Sequence, residues 1–307
     1  MDSTRPEAFQ EYRSFIPDFD RFCETLRLPL PQSLRTNTLR IKPSILTELL
    51  RSQGYRVRSS PLAEYLLQVE GLTRPGETIE AALGYFFPQA LTSAMAVMAL
   101  DPKPGELVCD LCAAPGSKTT HMAQVMRNQG LIVANDNKAG RLRVLEHNIR
   151  RMGATNVVTT LYPGQSFPKR WRFDRVLVDA PCSGEGTLRL VVSPDRPART
   201  RLGKFLPRIQ RDLIIRAFDL LAEDGTLLYS TCTYNPEENE AVVQHLLHQR
   251  PAKIEPIALS ARQAPGLLQW EGRSFDGEME RCWRIYPHLL DSVGFFLAKI
   301  RRRASPE

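Results

Sequence analysis

The feature that most constrains this chain is a regular alternation of strand-like and helix-like segments between Leu107 and His248. Short apolar runs alternate there with longer segments of helical apolar spacing. The predicted strands are 107–111, 131–135, 156–161, 175–179 and 226–229, and the predicted helices are 118–129, 139–152, 209–222 and 237–248. Such an alternation is typical of βαβ units, so we predict an α/β fold built on a parallel sheet.

The segments outside this region follow other patterns. Helices are predicted at 44–52 and 90–100, and strands at 55–58, 283–286 and 295–300. The first 90 residues therefore combine helix and strand without the regular alternation. We predict two domains, which are a smaller α+β module at 1–90 and a larger sheet-containing domain at 91–307.

Composition argues against a membrane protein or an exported one. Hydrophobic residues make up 42% and charged residues 24% of the 307 residues, which is ordinary for a soluble globular protein. No apolar run reaches the roughly 20 residues that span a bilayer. The first residues also lack the basic and apolar regions of a secretory signal. We therefore expect a cytoplasmic protein with no membrane partner.

The cysteines point to free thiols rather than to disulfides or a metal site. Six cysteines in a large chain without a secretory signal are expected to stay reduced. Cys109 and Cys112 have the two-residue spacing of a zinc half-site, but no second pair accompanies them. Cys109 also falls within a predicted strand, so we expect no bound metal.

Positive charge is concentrated in one part of the chain. The formal net charge is +7, and residues 1–100 carry equal numbers of basic and acidic side chains. A basic stripe follows, made of Arg189, Arg196, Arg199, Arg201, Lys204, Arg208, Arg211 and Arg216. A solvated helix face is the alternative interpretation. Directly after a candidate catalytic loop, however, the stripe favours a phosphate-binding surface.

Two cysteines follow two of the predicted strands. Cys182 comes three residues after Asp179, and Cys232 follows the apolar run that ends at Tyr229. The carboxyl ends of parallel strands form the ligand crevice of an open α/β sheet, so these side chains should meet. Two thiols and a carboxylate at one place indicate covalent catalysis. A buried apolar thiol is the alternative for either cysteine alone.

A loop of small residues follows the strand at 107–111. Gly116 lets the backbone approach a ligand closely before the helix begins, but neither the P-loop spacing nor Gly-x-Gly-x-x-Gly is present. Asp136 ends the next strand, where an acid commonly binds ribose hydroxyls, although a helix N-cap is the alternative. This order of elements predicts a nucleoside site, and S-adenosylmethionine fits it better than NAD does.

Three motifs in a fixed order resemble the Sun/Fmu family, which includes RsmB/RsmF-like and Nop/Sun proteins. The motifs are 112–119, the loop 179–187 with the sequence DAPCSGEGT, and 229–233 followed by 238–240. Further matches lie at 34–39, Gln89, 284–288 and 294–296, so the resemblance covers nearly the whole chain. The family consists of S-adenosylmethionine-dependent RNA cytosine carbon-5 methyltransferases. The resemblance implies a Rossmann-like class I methyltransferase domain preceded by an RNA-binding module.

The resemblance also assigns roles that residue types alone leave open between the two thiols. It implies that Cys232 is the nucleophile, that Cys182 releases the product and that Asp179 contacts the cytosine, with Lys118 close by to orient Asp179 or the base. The implied cofactor contacts are Cys112, Ala113, Ala114, Pro115, Gly116, Ser117, Lys118, Asp136, Arg141 and Asp179. Arg141 is equally consistent with a solvated helix arginine.

Two positions depart from the family pattern. Ser117 stands where a second glycine is usual, and Pro163 stands where the family usually carries an acid near the adenine. The expected consequences are adenine recognition through backbone groups and weaker binding of the cofactor.

The expected partner is RNA, either ribosomal or transfer RNA, with the target cytosine single-stranded or flipped out of a duplex. A DNA cytosine carbon-5 methyltransferase is one alternative, but no target-recognition domain is apparent. A non-catalytic RNA-binding protein of the same fold is the other, and the presence of both cysteines argues against it. The sequence leaves the oligomeric state open, with a monomer favoured.

Overall fold

The computed structural model describes residues 6–189 and 205–303, and within these ranges the chain forms two main sheets and a small two-stranded ladder. The strands are β1 (Gln32–Thr36), β2 (Arg56–Ser60), β3 (Ala63–Glu70), β4 (Phe86–Pro88), β5 (Leu107–Asp110), β6 (Leu131–Asp136), β7 (Val157–Leu161), β8 (Phe173–Asp179), β9 (Leu221–Thr231), β10 (Ala252–Glu255), β11 (Ala264–Pro265), β12 (Gln269–Trp270), β13 (Arg273–Ser274), β14 (Trp283–Ile285) and β15 (Phe295–Arg302). The helices are α1 (Phe19–Leu26), α2 (Pro43–Ser52), α3 (Ile79–Ala82), α4 (Leu91–Leu100), α5 (Ser117–Val125), α6 (Ala139–Met152), α7 (Leu206–Asp219), α8 (Glu240–Gln249) and α9 (Pro287–Leu290).

The larger sheet has the order β11-β14-β15-β9-β8-β5-β6-β7, with β10 paired to β15. Strands β7, β6, β5, β8 and β9 are parallel to one another. Strand β15 is antiparallel to β9 and to β14. The chain runs outward from β5 to β6 and β7 and then returns to β8 on the other side of β5. A ligand crevice of an open α/β sheet lies at such a reversal, outside the carboxyl ends of the strands.

Helices cover both faces of this sheet, because the side chains of its central strands are apolar on both sides. Val176 and Val178 of β8 pack with Ile214 of α7, while the intervening Leu177 packs on the opposite face with Met122 of α5. Strands buried on both faces in this way are typical of parallel α/β sheets. The α/β class and the methyltransferase-type sheet predicted from the sequence are confirmed.

The smaller sheet is antiparallel, with the order β2-β3-β1-β4. Leu46 and Leu50 of α2 cover one face of it and pack with Leu67 of β3. The predicted strand at 55–58 corresponds to β2, whereas β1, β3 and β4 were not predicted. In β3 the consecutive residues Leu66 and Leu67 are both buried, so the simple alternation that identifies a strand is broken.

Polar side chains of β1 and of the turn after it connect the two sheets. Arg35 of β1 is fully buried against α5, and Asn37 donates hydrogen bonds of 2.8 Å to the carbonyls of Gly84 and Met152. At the chain's start, Phe9 and Phe22 pack edge-to-face against the Tyr234 ring from the loop after β9. The division into domains at 1–90 and 91–307 stays a prediction.

Three element boundaries differ from those predicted. The helix predicted at 118–129 ends at Val125, because Arg127 and Asn128 adopt left-handed φ angles of 54° and 56°. The helix predicted at 237–248 begins at Glu240, because residues 236–239 form a turn that Asn235 caps by accepting from the Glu237 N–H at 3.0 Å. The helix predicted at 209–222 spans Leu206–Asp219 instead, and β9 begins directly after it.

Two further features concern partners. None of the helices in the described ranges combines the length and apolar character needed to cross a membrane. Among the same residues, no three His, Cys, Asp or Glu side chains are grouped in a way that could hold a metal ion.

Candidate active site

The loop between β5 and α5 forms one wall of the crevice. Gly116 has a φ of 106°, a left-handed conformation that L side chains rarely adopt, and a Cβ there would lie 2.8 Å from Leu145 Cδ1. This glycine therefore lets the loop turn sharply into the first turn of α5 beneath the crevice. Asn148 of α6 donates to the Pro115 carbonyl at 2.9 Å and holds the loop from outside.

Asp136 lies at the carboxyl end of β6 and faces the same loop. Its Oδ2 accepts from the Ala114 N–H at 3.3 Å and lies 3.4 Å from Arg141 Nη1, and its Oδ1 accepts from the Lys138 N–H at 3.1 Å. Arg141 in turn donates to the Ala114 carbonyl at 2.5 Å. Asp136 and Arg141 therefore fix the loop from the side.

Asp110 and Thr119 lie buried beneath the loop between β5 and α5. Thr119 donates to Asp110 Oδ2 at 2.7 Å, while Asp110 Oδ1 has no partner among the described residues. Burial raises the pKa of Asp110 to about 7 and also raises the pKa of the nearby Cys112 thiol. An unpartnered buried acceptor at the end of β5 fits a ligand that carries a hydrogen-bond donor.

Lys118 and Asp179 form an ion pair between the first turn of α5 and the end of β8. Lys118 Nζ lies 2.6 Å from Asp179 Oδ2, and Ser230 Oγ donates to Asp179 Oδ1 at 2.8 Å. The Lys118 side chain is 10% exposed and that of Asp179 is 32% exposed. The carboxylate is therefore held by two donors while part of it still faces the crevice.

The two predicted cysteines meet at the ends of β8 and β9. Their Sγ atoms are 3.3 Å apart, and the Cys232 N–H donates to Cys182 Sγ at 3.4 Å. The hydrogen bond from the Cys182 thiol lowers the pKa of Cys232, and Lys118 lowers it further. The same hydrogen bond, together with burial and the charge of Glu238, raises the pKa of Cys182. Deprotonation of the pair is therefore favoured at Cys232 over Cys182.

Two buried carboxyl groups join the cysteine loops to each other. Glu185, in the Cys182 loop, accepts at 3.0 Å from the hydroxyl of Thr233 in the Cys232 loop. Glu238, downstream of Cys232, accepts at 3.0 Å from the N–H of Ser183 in the Cys182 loop. Each loop thus provides a carboxyl acceptor for the other, which fixes the spacing of the two sulfur atoms.

Two side chains from distant segments, Tyr12 near the start of the chain and Gln210 of α7, support this arrangement from outside. Tyr12 donates to Glu185 Oε2 at 3.0 Å, and Gln210 of α7 donates to Glu238 Oε2 and to the Pro181 carbonyl, both at 2.8 Å. Burial raises the pKa of Glu185 to about 7. The crevice therefore combines a thiol of lowered pKa, a second thiol, an oriented carboxylate and a glycine turn at a helix start.

The model of a protein family described as "16S rRNA methyltransferase RsmB/F" matches residues 97–301 of this chain. The match covers more than half of the 307 residues. The chain belongs to the RsmB/F family. This confirms the resemblance to the Sun/Fmu family that the three motifs indicated.

Individual relatives agree with this membership. A tRNA (cytosine(49)-C(5))-methyltransferase of Pyrococcus abyssi is 38% identical over 300 residues, which cover 95% of this chain and 94% of that protein. Ribosomal RNA small subunit methyltransferase F of Klebsiella pneumoniae is 37% identical over 313 residues, which cover 98% of this chain. The chain spans only 64% of the length of the Klebsiella protein.

A solved structure gives the same result for the fold. The crystal structure of NSun6 from Pyrococcus horikoshii with SFG has a TM-score of 0.84 and 25% sequence identity to this chain, and the match covers 98% of both chains. Together with the RsmB/F family model, these relatives confirm the predicted class of enzyme, an RNA cytosine carbon-5 methyltransferase.

The residues predicted for the site converge in this RsmB/F chain. Cys182, Cys232, Asp179 and Lys118 lie together, and the loop 112–118 with Asp136 and Arg141 forms the adjoining wall. Their catalytic and cofactor-binding roles stay predictions.

The backbone before Pro163, one of the two positions that depart from the family pattern, is bonded to β6. Asn135 accepts from the Tyr162 N–H at 3.0 Å and donates to the Tyr162 carbonyl at 3.0 Å, so the backbone before Pro163 is already paired. The expected recognition of adenine through backbone groups stays a prediction.

The predicted basic stripe needs a correction at its first member. Arg189 is 4% exposed and donates to the carbonyls of Thr25 at 2.5 Å and Ser292 at 3.1 Å, so it holds α1 to the C-terminal region and is no surface phosphate ligand. Arg208, Arg211 and Arg216 lie on α7. The remaining members, Arg196, Arg199, Arg201 and Lys204, lie outside the described residues.

Several residues that build the site received no role from the sequence. Glu185, Glu238 and Arg35 stood within recognised motifs, but nothing in the motifs indicated what they bind. Tyr12 and Gln210 gave no signal at all, because their contacts join parts of the chain far apart in sequence.

Proposed function

We propose that this protein transfers a methyl group from S-adenosylmethionine to carbon 5 of a cytosine in RNA through a covalent bond to Cys232. The observation that carries the proposal is the 3.3 Å separation of the Cys182 and Cys232 sulfur atoms beside the Lys118–Asp179 pair. Two thiols of opposite pKa shift next to a held carboxylate supply the nucleophile, the second proton-transfer group and the base contact that this reaction needs.

The first step is nucleophilic activation of the ring. Carbon 5 of cytosine is too poor a nucleophile to take a methyl group unaided, and addition of a thiolate to carbon 6 makes it enamine-like. Cys232 is suited to this step because the Cys182 hydrogen bond and Lys118 favour its thiolate form. As the sulfur–carbon bond forms from the thiolate electron pair, the π electrons of the C5=C6 double bond shift toward carbon 5 and N3.

The second requirement is stabilisation of the ring while it carries extra charge. Asp179 contacts N3 and the exocyclic amine, and the bonds from Lys118 and Ser230 keep its carboxylate in one orientation. Lys118 also supplies a positive charge next to the position where negative charge develops. The exposed part of the Asp179 carboxylate leaves room for the flat base to approach.

The third step releases the product. The carbon-5 proton is removed, the sulfur–carbon bond breaks, and its electron pair returns to Cys232. We assign the proton to Cys182, after its own thiol proton has left to water, because Cys182 Sγ lies beside Cys232 and therefore beside the reacting bond. The pKa of Cys182, raised by the hydrogen bond to Cys232 and by burial, suits a group that accepts a proton at this stage.

S-adenosylmethionine is the proposed methyl donor, and when bound it supplies an electrophilic methyl group at the crevice. Support comes from the methyltransferase family and from the relative solved with SFG, an analogue of S-adenosylmethionine. The loop 112–118 would hold the methionine end, with Asp179 near it and the unpartnered Asp110 Oδ1 available to its amino group. Asp136 would accept from the ribose hydroxyls, and Arg141 would steady that carboxylate.

The proposed substrate is ribosomal or transfer RNA. The named relatives act on a tRNA and on small-subunit ribosomal RNA, and both kinds of name occur at similar identity to this chain. A stacked cytosine in a duplex has no access to a crevice of this kind, so the target is expected in a loop, a single strand or a flipped state.

The test uses labelled S-adenosylmethionine with total RNA and, separately, with DNA. We expect labelled 5-methylcytosine in RNA from the unmodified enzyme and from Cys23→Ala, a control at a thiol remote from the crevice, and none from Cys232→Ala. Label in DNA alone, or in RNA with Cys232→Ala, would contradict the proposal. Bisulfite sequencing of the methylated RNA would then separate ribosomal from transfer RNA.

A further inference from the structure

An exposed tryptophan lies just before the amino end of β8, whereas the two cysteines follow the carboxyl ends of β8 and β9. Trp171 is 52% exposed in the segment before β8, whereas Trp270 and Trp283 are only 9% and 7% exposed. Large aromatic side chains are usually buried, and an exposed one in a polar setting is typical of a binding surface. The chain thus leaves one of its three tryptophans in solvent, away from the crevice.

Basic residues flank Trp171 on both sides in sequence. Arg170 lies over it, with its guanidinium carbon 5.5 Å from the ring centroid, and Arg172 donates to the Trp171 carbonyl at 3.1 Å. Lys169 is half exposed and pairs with Asp219 at 2.7 Å, a carboxylate that it shares with Arg250. The segment 169–172 therefore presents one aromatic ring among cations, a combination that suits a nucleic acid.

Helix α7 connects this segment to the crevice. Gln210, near the start of α7, bonds to the Pro181 carbonyl of the Cys182 loop, and Arg216, near its end, donates to the Gln165 carbonyl at 2.9 Å. A cavity of about 410 Å³ lies between the second half of α7, the residues His245 and Gln249 of α8, and Lys169. With 14 residues, α7 spans about 21 Å, the reach of several nucleotides.

The charge of this surface is positive overall. We call it the α7 track, and its cations are Arg208, Arg211, Arg216, Lys169, Arg170, Arg172 and Arg250. The carboxylates among them are Asp212, Asp219 and Glu237. A strand of phosphates is the ligand that such an excess of cations along one helix attracts.

We infer that the α7 track binds the RNA strand that flanks the target cytosine, with phosphates along α7 and an unpaired base stacked on Trp171. The inference rests on the proposed function, in which RNA is the substrate. It extends that function by placing a second contact about one helix length from the reacting sulfur atoms. Stacking on an aromatic ring tolerates any base, so the track holds the strand while the crevice selects cytosine.

The position of Trp171 allows a direct test by fluorescence, without the cofactor. Poly(C) RNA added at low salt should quench the emission of the exposed tryptophan in the unmodified enzyme. The Trp171→Phe variant keeps an aromatic ring but should lose the quenching, because the remaining tryptophans are buried. Equal quenching by heparin, a polyanion without bases, would overturn the stacking contact.

Kinetics provide the second measurement. Trp171→Ala should raise KM for long RNA about 5- to 150-fold, since loss of one stacked base costs about 1–3 kcal/mol, and should leave kcat unchanged. Arg170→Ala should reduce the salt dependence of RNA binding by about 0.7 in log–log slope, the value for one phosphate contact to a single strand. Lys253→Ala removes an exposed cation from β10, outside the track, and should change neither quantity.

The outcomes separate the two proposals. Normal methylation of RNA with an unchanged KM in Trp171→Ala and no quenching would overturn the α7 track and leave the proposed function intact. Quenching by poly(C) in an enzyme that methylates no RNA would contradict the proposed function instead.

Discussion

The loops after β8 and β9 each carry a cysteine just beyond a parallel strand, but they give the two sulfur atoms different surroundings. Cys232 has the ammonium group of Lys118 nearby and accepts a hydrogen bond, and its pKa is lowered. Cys182 donates that bond and has the Glu238 carboxyl on its side, and its pKa is raised. Two chemically identical groups 3.3 Å apart thus acquire opposite pKa shifts, chiefly because one donates and the other accepts the hydrogen bond between them.

The largest expected effect on turnover comes from removing Cys232, the thiol whose pKa is lowered. Cys232→Ala should decrease turnover by about 10⁴-fold or more, because loss of a covalent nucleophile leaves only binding and electrostatics. Methyl transfer to RNA from labelled S-adenosylmethionine is the measurement. The thiol of Cys23 is remote from the crevice, so Cys23→Ala should stay close to unmodified activity. Residual turnover within tenfold of normal would show that Cys182 and Cys232 had been assigned in the wrong order.

Removing the other thiol should give a different result. Cys182→Ala should lower turnover about 10³-fold, as expected for loss of a proton-transfer group, and should also trap the enzyme on its RNA. The adduct should survive denaturing gel electrophoresis and should vanish in the Cys182→Ala, Cys232→Ala double variant. Full activity without any adduct would assign release to another group.

The charge that distinguishes the loops can be altered without touching either sulfur. Lys118→Met should raise the pKa of Cys232 and free Asp179, and turnover at neutral pH should fall about 10²-fold. Because the lost activity reflects a smaller thiolate fraction, part of it should return as the pH is raised. Lys118→Arg keeps the cation and should retain the normal pH profile to a larger extent. A pH profile of turnover that is unchanged in Lys118→Met would show that Lys118 does not lower the pKa of Cys232.

The smallest effect on turnover is expected at the carboxyl that joins the two loops. The pKa of Glu185 is raised by burial from 4.5 to about 7, so the folded protein holds a proton there that the unfolded chain has lost. The stability from this proton is complete below about pH 4.5 and is lost as the pH rises through about 7.

Glu185→Gln isolates this contribution because glutamine does not titrate. The free energy of unfolding of the variant, relative to the unmodified protein, should increase between pH 4.5 and 7 by up to about 3 kcal/mol. Asp110, which also has a raised pKa, is present in both proteins and drops out of the difference. Denaturant unfolding at several pH values measures it, and a difference that does not vary with pH would show that Glu185 is ionised throughout.

The sequence predicted the parts of the site that local patterns encode. Strand, loop and helix follow from apolar spacing and small residues, so the loop at 112–118 and Cys182, Cys232 and Asp179 could be expected at one edge of the sheet. Helix ends were less predictable: Asn128 looks like a helical residue until its left-handed φ and its bonds to Gly153 and Thr155 are known.

Contacts between distant parts of the chain were beyond the sequence pattern. Arg189 stood first in a basic stripe, and nothing in its neighbours indicated that Thr25 and Ser292 would bury it. Tyr12 reaches Glu185 across 173 positions of sequence, a pairing for which one sequence carries no periodic or compositional signal. Opposite pKa shifts at Cys182 and Cys232 likewise depend on the three-dimensional positions of charges.

Arg35 has a practical consequence for anyone who wishes to exchange the small sheet between relatives. Its guanidinium is fully buried, bonds to Gln89 at 2.7 Å and to the Thr120 hydroxyl at 2.8 Å, and also reaches Gln124. Burial lowers its pKa to about 9. The acceptors around it are neutral oxygens of α5 and of the segment after β4. A chimera with the small sheet of another protein must therefore keep this arginine together with its acceptors Gln89, Thr120 and Gln124. Otherwise α5, the helix that carries Lys118, loses its hydrogen bonds to the small sheet.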